Sequence, residues 1–341
     1  MQIGNHSAEF WLQHLRECQR RIREAVLAAL RRDAQQHLAE VAFETEGDVI
    51  FGIDRVAEQA FLSYFEQVLA REARFVLIAE GLPDGGKRVF PEGGSEDEAE
   101  VRIIMDPIDG TRPLMFDKRS AWSLAGVAPN RGAQTHLGDI VLAVQTEIPV
   151  SKQGFADRLW AVRGQNTRAV REELMTGKER AYKPRASQKR DLLQGFGGFV
   201  RYFHGSKVLI SRIDEALAEA LYGPVEAGKA RIFEDQYMST GGQVYELATG
   251  RDRFVADLRA LADAALQKEG RAAGLCCHPY DLCTFLIAEG VGAVITDERG
   301  RRPHAPLEVT SDINWIGYAN AQLRQHIEPV LQEILKQAGW L

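Results

Sequence analysis

No apolar run in this 341-residue chain approaches the roughly 20 residues that a membrane-spanning helix needs. The opening Met1-Gln2-Ile3-Gly4-Asn5-His6-Ser7 also lacks the basic start and apolar core of a secretory signal. Cysteine is scarce: Cys18, Cys276, Cys277 and Cys283 are too few and too clustered for a disulfide framework. Their spacing with His278 fits no zinc pattern, so a buried, packed segment is the expectation. Positive charge is short as well, with 42 Lys and Arg against 48 Asp and Glu and a formal net charge of −6. That balance gives no general attraction to a nucleic acid polymer or an anionic membrane. There is no internal repeat and no low-complexity tract. Together these absences point to a cytoplasmic protein with reduced thiols.

What the chain does have is 45% hydrophobic residues, enough for a full core in two domains or one two-part unit. Trp11, Leu15, Cys18, Ile22, Val26 and Leu30 recur at helical spacing after Ser7, a plausible N-cap. A second helix follows Asp54. Phe75–Ala79 and Val101–Met105 are continuous apolar runs that predict buried strands. Pro83–Ala99, rich in Gly and acidic residues, predicts a loop or loose hairpin. Further strands are expected over Ser123–Ala128, Ile140–Thr146 and Leu159–Arg163. The charged stretch Arg171–Lys189 is taken as the boundary between residues 1–185 and 186–341. In the second half, helices are expected from about Ser206 to Leu221, over Gly242–Ala248 and from Asp281, with strands at Gly292–Thr296 and Ile313–Tyr318. Strands and helices mixed throughout predict a layered α/β or α+β architecture.

The densest chemistry lies in Asp106-Pro107-Ile108-Asp109-Gly110-Thr111, released at the end of the Val101–Met105 strand. Two carboxylates and the Ile108 carbonyl are hard oxygen donors of the kind Mg²⁺ takes. Gly110 and Thr111 then offer backbone N–H groups to an anion, and Thr111 adds a hydroxyl. Glu80 ends the neighbouring apolar run, so it converges with Asp106 if the two strands lie together. On composition alone, Glu80 is a solvated strand end, Asp54 an N-cap, and Asp281 a carboxylate at a helix amino terminus.

This set resembles the inositol monophosphatase family, the Mg²⁺-dependent phosphomonoesterases that also include sugar bisphosphatases and bisphosphate nucleotidases. The resemblance implies an αβαβα sandwich of the sugar phosphatase type. It implies that Glu80, Asp106, the Ile108 carbonyl, Asp109 and Asp281 hold two or three Mg²⁺ ions. It further implies that Asp54 and Thr111 orient the attacking water, with Glu80 beside them in catalysis. Residues 1–185 would then carry most metal ligands, and 186–341 would carry Asp281 and the groups that select substrate. Two departures stand out. Ala79-Glu80-Gly81 replaces the family's Gly-Glu-Glu, and Tyr280 replaces the tryptophan before Asp281.

The implied activity is hydrolysis of an inositol or sugar monophosphate, with the substrate held by Gly110, Thr111, Ser239, Thr240, Asp257 and Lys207. Asp257 matches a family glutamate that contacts inositol hydroxyls. Arg201, His204 and Lys207 could instead bind a second phosphate, or form a solvated basic turn. Alternatives are a fructose-1,6-bisphosphatase, a bisphosphate nucleotidase, or a silent relative that only binds phosphorylated ligands. The implied partner is a small phosphorylated metabolite, and the family's homodimer is the expected assembly.

Overall fold

The computed structural model of the protein describes residues 1–32, 41–44, 49–272 and 274–341. Five layers alternate along one axis: helices, an eight-stranded sheet, helices, a four-stranded sheet, and helices again. This is the expected αβαβα sandwich.

The first layer follows from helical periodicity. Helix α1 (Ala8–Arg32) buries Trp11, Leu15, Cys18, Ile22 and Val26 completely. The Ser7 hydroxyl accepts from the Phe10 N–H at 3.2 Å, so the N-cap sits where the sequence puts it. Gln19 lies on the buried face and is satisfied there: it donates to the Val144 carbonyl (3.1 Å) and accepts from the Thr146 hydroxyl (2.8 Å). Helix α2 (Gly52–Gln67) packs beside α1 and buries Ile53, Ala57, Phe61, Tyr64 and Phe65. Asp54 is its third residue, inside the first turn rather than capping it. Gly47 and Asp48, ahead of it, lie outside the described residues.

The large sheet comprises β1 (Phe75–Ala79), β2 (Lys87–Phe90), β3 (Val101–Asp109), β4 (Ala121–Pro129), β5 (Leu142–Ile148), β6 (Phe155–Val162), β7 (Arg168–Glu173) and β8 (Lys178–Tyr182). Its spatial order is β8-β7-β6-β5-β4-β3-β1-β2. Alternation assigns its two faces. Phe75, Leu77, Val101, Ile103, Met105 and Ala125 turn toward α1 and α2, whereas Val76, Ile78, Ile104, Trp122 and Leu124 turn toward the second sheet. Both faces are covered, which is why β1 and β3 are apolar without interruption.

Within this sheet only β1 and β3 run parallel, with Ala79 opposite Met105. The residues that follow, Glu80 and Asp106, are therefore delivered at the same edge. The sequence ends β3 at Met105, but the strand continues to Asp109. Asp106 pairs with Leu124 and Asp109 with Trp122, across a register shift. The shift inserts an extra residue into β3, and such bulges re-aim side chains.

Three other expectations change. The Pro83–Ala99 segment carries edge strand β2, because Val89 and Phe90 pair back onto β1. The charged Arg171–Lys189 stretch holds part of β7 and all of β8, whose polar character suits an exposed sheet edge. Around Asp281 there is no α-helix. Hydrogen bonds from Asp281 N to His278 O, Phe285 N to Leu282 O and Ile287 N to Thr284 O wind Pro279–Thr284 as tight i→i+3 turns, and only Leu286–Glu289 is α-helical.

The second sheet is β9 (Phe196–Phe199), β10 (Asp252–Asp257), β12 (Trp315–Tyr318) and β11 (Val294–Thr296), in that spatial order. Helix α5 (Thr240–Ala248) lies between the sheets. Helices α4 (Lys207–Tyr222) and α7 (Ala321–Gln337) cover the outer face, and α6 (Arg259–Lys268) follows β10. A single buried cluster runs through both sheets, from Val76 and Trp122 to Phe254 and Trp315. Among the described residues, no helix is long and apolar enough to cross a membrane.

Phe75 is fully buried between β2 and α2, stacked on Phe90 at 4.9 Å. Phe75→Ala is expected to destabilise the fold by about 3–5 kcal/mol in urea unfolding, the usual range for losing a core aromatic. A change of less than about 1 kcal/mol would show that the α1/α2 layer contributes little.

Candidate active site

The bulged end of β3, the first turn of α2, the amino terminus of α5 and the turn at Asp281 meet around one cavity of about 470 Å³. Asp54, Glu80, Asp106, Ile108, Asp109, Gly110, Thr111, Ser239, Thr240 and Asp281 all line it. Carboxylate oxygens of Asp106, Asp109 and Asp281 lie within 4.8 Å of one another. Glu80 faces the same cavity from the end of β1 but stands outside this trio.

Each carboxylate is aimed by local structure. One Asp106 oxygen accepts from the Ile108 N–H at 2.9 Å, a turn closed by the side chain. Asp109 sits against the start of α5, where one oxygen accepts from the Ser239 hydroxyl (2.8 Å) and the Gly241 N–H (2.5 Å). Ser239 also caps α5 by accepting from the Gly242 N–H at 2.8 Å. Only glycine fits at 241, because a Cβ there would lie 2.4 Å from Leu124 and 3.0 Å from the Asp109 carboxylate. Gly110 turns the chain with φ +92°, a conformation that side-chain-bearing residues rarely adopt. An Asp281 oxygen accepts from the His278 N–H at 2.6 Å, which closes its turn.

Three carboxylates this close repel one another. Burial, reinforced by the Asp109 and Asp281 charges, holds Asp106 well above the usual carboxylate range, although the Ile108 N–H works in the other direction. Burial and then Asp281 push Asp109 up to about 7, against the donors at the start of α5. The oxygen of Asp109 opposite α5 and the remaining oxygens of its neighbours are all hard donors. The trio contains no nitrogen or sulfur ligand. Such a set fits Mg²⁺ or a similar divalent cation, which replaces repulsion by attraction.

Thr111 opens helix α3 (Thr111–Met115). Its hydroxyl lies 3.0 Å from an Asp54 carboxylate oxygen and 2.8 Å from the Ile108 carbonyl. With its single hydrogen donated there, the oxygen keeps lone pairs to accept from a water.

The remaining sequence-selected residues are placed differently. Thr240 lines the cavity, but its hydroxyl lies beside the Cys277 thiol at 3.7 Å. Lys207, the first residue of α4, does not line it, and Arg201 is paired with both Asp214 and Glu234. Asp257 is fully buried behind the wall and bound by the Arg259 guanidinium at 2.8 and 2.6 Å. The four cysteines are buried and free. Sequence reasoning missed Arg259, Tyr202, Phe203 and His278, all cavity-lining. The spacing Asp257-Leu258-Arg259 was the available signal for the first.

No protein-family model matches the sequence, and no curated protein matches it. Solved structures do match in shape. Leishmania major fructose-1,6-bisphosphatase in its holo form superposes with a TM-score of 0.64 at 13% identity, covering 95% of this chain and 93% of that one. The extragenic suppressor protein SuhB of Bartonella henselae gives 0.63 at 16% identity, over 94% and 98%. An IMPase of Thermotoga maritima gives 0.59 at 17% identity, over 96% and 98%. The chain has the inositol monophosphatase fold. Within that fold, the cavity lies where β1 and β3 end, at the seam between the two sheets.

The raised carboxylates fix a pH dependence. Asp109 at about 7 lies above its ordinary 3.8, so between these values the folded, cation-free protein holds a proton that the unfolded chain has lost. The associated stability is complete below about pH 4 and is lost as pH rises through about 7. Saturating Mg²⁺ should therefore raise Tm more at about pH 8 than at about pH 5, measured by scanning calorimetry with and without the ion. An equal or absent shift at the higher pH would contradict this picture.

Proposed function

We propose that the protein is a divalent-cation-dependent phosphomonoesterase acting on an inositol or sugar phosphate. The observation that carries this reading is the trio of buried Asp106 and Asp109 with half-buried Asp281, set beside the Thr111–Asp54 hydrogen bond in one cavity. The matching folds of a fructose-1,6-bisphosphatase and an IMPase support it.

In this reading Glu80, Asp106, the Ile108 carbonyl, Asp109 and Asp281 hold two or three Mg²⁺ ions. Bound there, the ions supply charge against the phosphoryl oxygens and lower the pKa of water. Thr111 accepts a hydrogen bond from the attacking water while its own hydroxyl donates to Asp54. The pair orients one lone pair of the water toward phosphorus. The Gly110 and Thr111 N–H groups, at the start of α3, are the donors offered to the phosphoryl oxygens. Water oxygen bonds to phosphorus, the ester P–O bond breaks, and the alcohol leaves with a proton as inorganic phosphate forms. Residues 1–185 supply Glu80, Asp106 and Asp109, whereas 186–341 supply Asp281 and the wall that faces the leaving group.

Phosphate release from a panel of sugar and inositol monophosphates is expected with Mg²⁺ and absent with EDTA. Asp106→Asn and Asp281→Asn should each abolish it. Because each removes one repelling carboxylate, the cation-free variants should melt no lower than wild type. Turnover retained in both would contradict the reading. Asp54→Asn should lower kcat by about 10²–10⁴-fold, as loss of a water-orienting partner does, while Mg²⁺ still raises Tm. Unchanged kcat would remove Asp54 and Thr111 from the chemistry.

A further inference from the structure

Part of the cavity wall differs in character from the carboxylates. Arg259 lines the cavity yet is 3% exposed. Its guanidinium carries five N–H donors. Nε and one terminal nitrogen donate to Asp257 at 2.8 and 2.6 Å, and the other terminal nitrogen donates to the Leu275 carbonyl at 2.9 Å. Two N–H groups are left without an acceptor among the described residues. Tyr202 and Phe203, which also line the cavity, have the guanidinium carbon 4.9 and 5.3 Å from their ring centroids. Carboxylate, carbonyl and two rings together fix the orientation of this cation, a pre-organisation that a flexible surface lysine lacks.

A wall for a neutral polyol would need acceptors for its hydroxyls. Here Asp257, the carboxylate next to Arg259, has both oxygens engaged by that guanidinium. The unmatched groups are donors on a permanent cation, and oxyanions are what such a fork holds. The basic side chains of the Arg201–Lys207 turn are absent from the lining: Arg201 is neutralised by Asp214 and Glu234, and neither His204 nor Lys207 lines the cavity.

We infer that Arg259 is the specificity-determining residue of the cavity and selects substrates whose leaving group carries an oxyanion, a second phosphate or a carboxylate. This rests on the phosphomonoesterase reading and narrows its substrate class. Asp257 acts through Arg259 as a positioning residue.

The test compares kcat/KM for fructose 1,6-bisphosphate against fructose 1-phosphate, and for 3-phosphoglycerate against glycerol 3-phosphate. The first pair isolates a second phosphate and the second a carboxylate. Wild type is expected to favour the doubly anionic member of at least one pair by about 10–100-fold, the worth of a charged hydrogen-bonded contact. Arg259→Met should collapse that ratio. Asp257→Asn/Arg259→Met should do the same without leaving a buried carboxylate unpaired, and Asp257→Asn alone should raise KM for the doubly anionic substrate more than it lowers kcat. A retained Mg²⁺-dependent rise in Tm shows that each variant is folded. No preference in wild type, or a preference that survives both arginine variants, overturns the inference. If no phosphomonoester is hydrolysed, the phosphatase reading fails separately. Calorimetric binding of the same four compounds in Ca²⁺ then decides: a doubly anionic preference lost in Arg259→Met sustains the oxyanion site, and equal binding removes it.

Discussion

Electrostatic repulsion among Asp106, Asp109 and Asp281 is the constraint around which the rest of this molecule is arranged. Three carboxylates with oxygens inside 4.8 Å are unfavourable in a buried setting without protons or cations to offset them. The fold imposes the arrangement from three directions. The β3 bulge delivers Asp106 and Asp109, the amino terminus of α5 grips one Asp109 oxygen, and a tightly wound turn presents Asp281. None of these elements could relax without disturbing a sheet or the core between the sheets. Binding energy for a cation is thus stored as strain that folding has already imposed.

That arrangement also explains a division of labour inside the cavity. Groups that look available in the sequence are engaged in aiming others. Ser239 holds Asp109 and caps α5, and Asp257 holds Arg259. Among the described residues, the cavity also offers a ligand the trio, the Thr111 hydroxyl, and Arg259 with its two rings. The same cavity holds an acidic cluster that calls for cations and a fixed cation flanked by aromatic rings.

Much of this was legible in the sequence because its signals are local. Asp106 to Thr111 packs donors into six residues, and the apolar runs before Glu80 and Asp106 announce strands that end together. Where the sequence was misleading, the cause was tertiary. Strand β8 is polar because it forms the sheet edge, with β7 beside it, so their alternation was masked by charge. The Asp281 segment shows helical spacing, but its i→i+3 bonds tighten it so that the carboxylate is turned back into the cavity. Arg259 had only the Asp257-Leu258-Arg259 spacing to announce it, because its role depends on Tyr202 and Phe203, more than fifty positions earlier, and on an acidic neighbour that the sequence assigned to substrate instead. Lys207 failed for the same reason in reverse: a basic cluster in sequence was neutralised, or faced elsewhere, in space.

Anomalous diffraction from crystals soaked in Mn²⁺ addresses the central proposition most directly. The account predicts a manganese peak within bonding distance of oxygens from Asp106, Asp109 and Asp281, with Glu80 and the Ile108 carbonyl completing the coordination. A map with manganese elsewhere on the protein and none among those three carboxylates would contradict it.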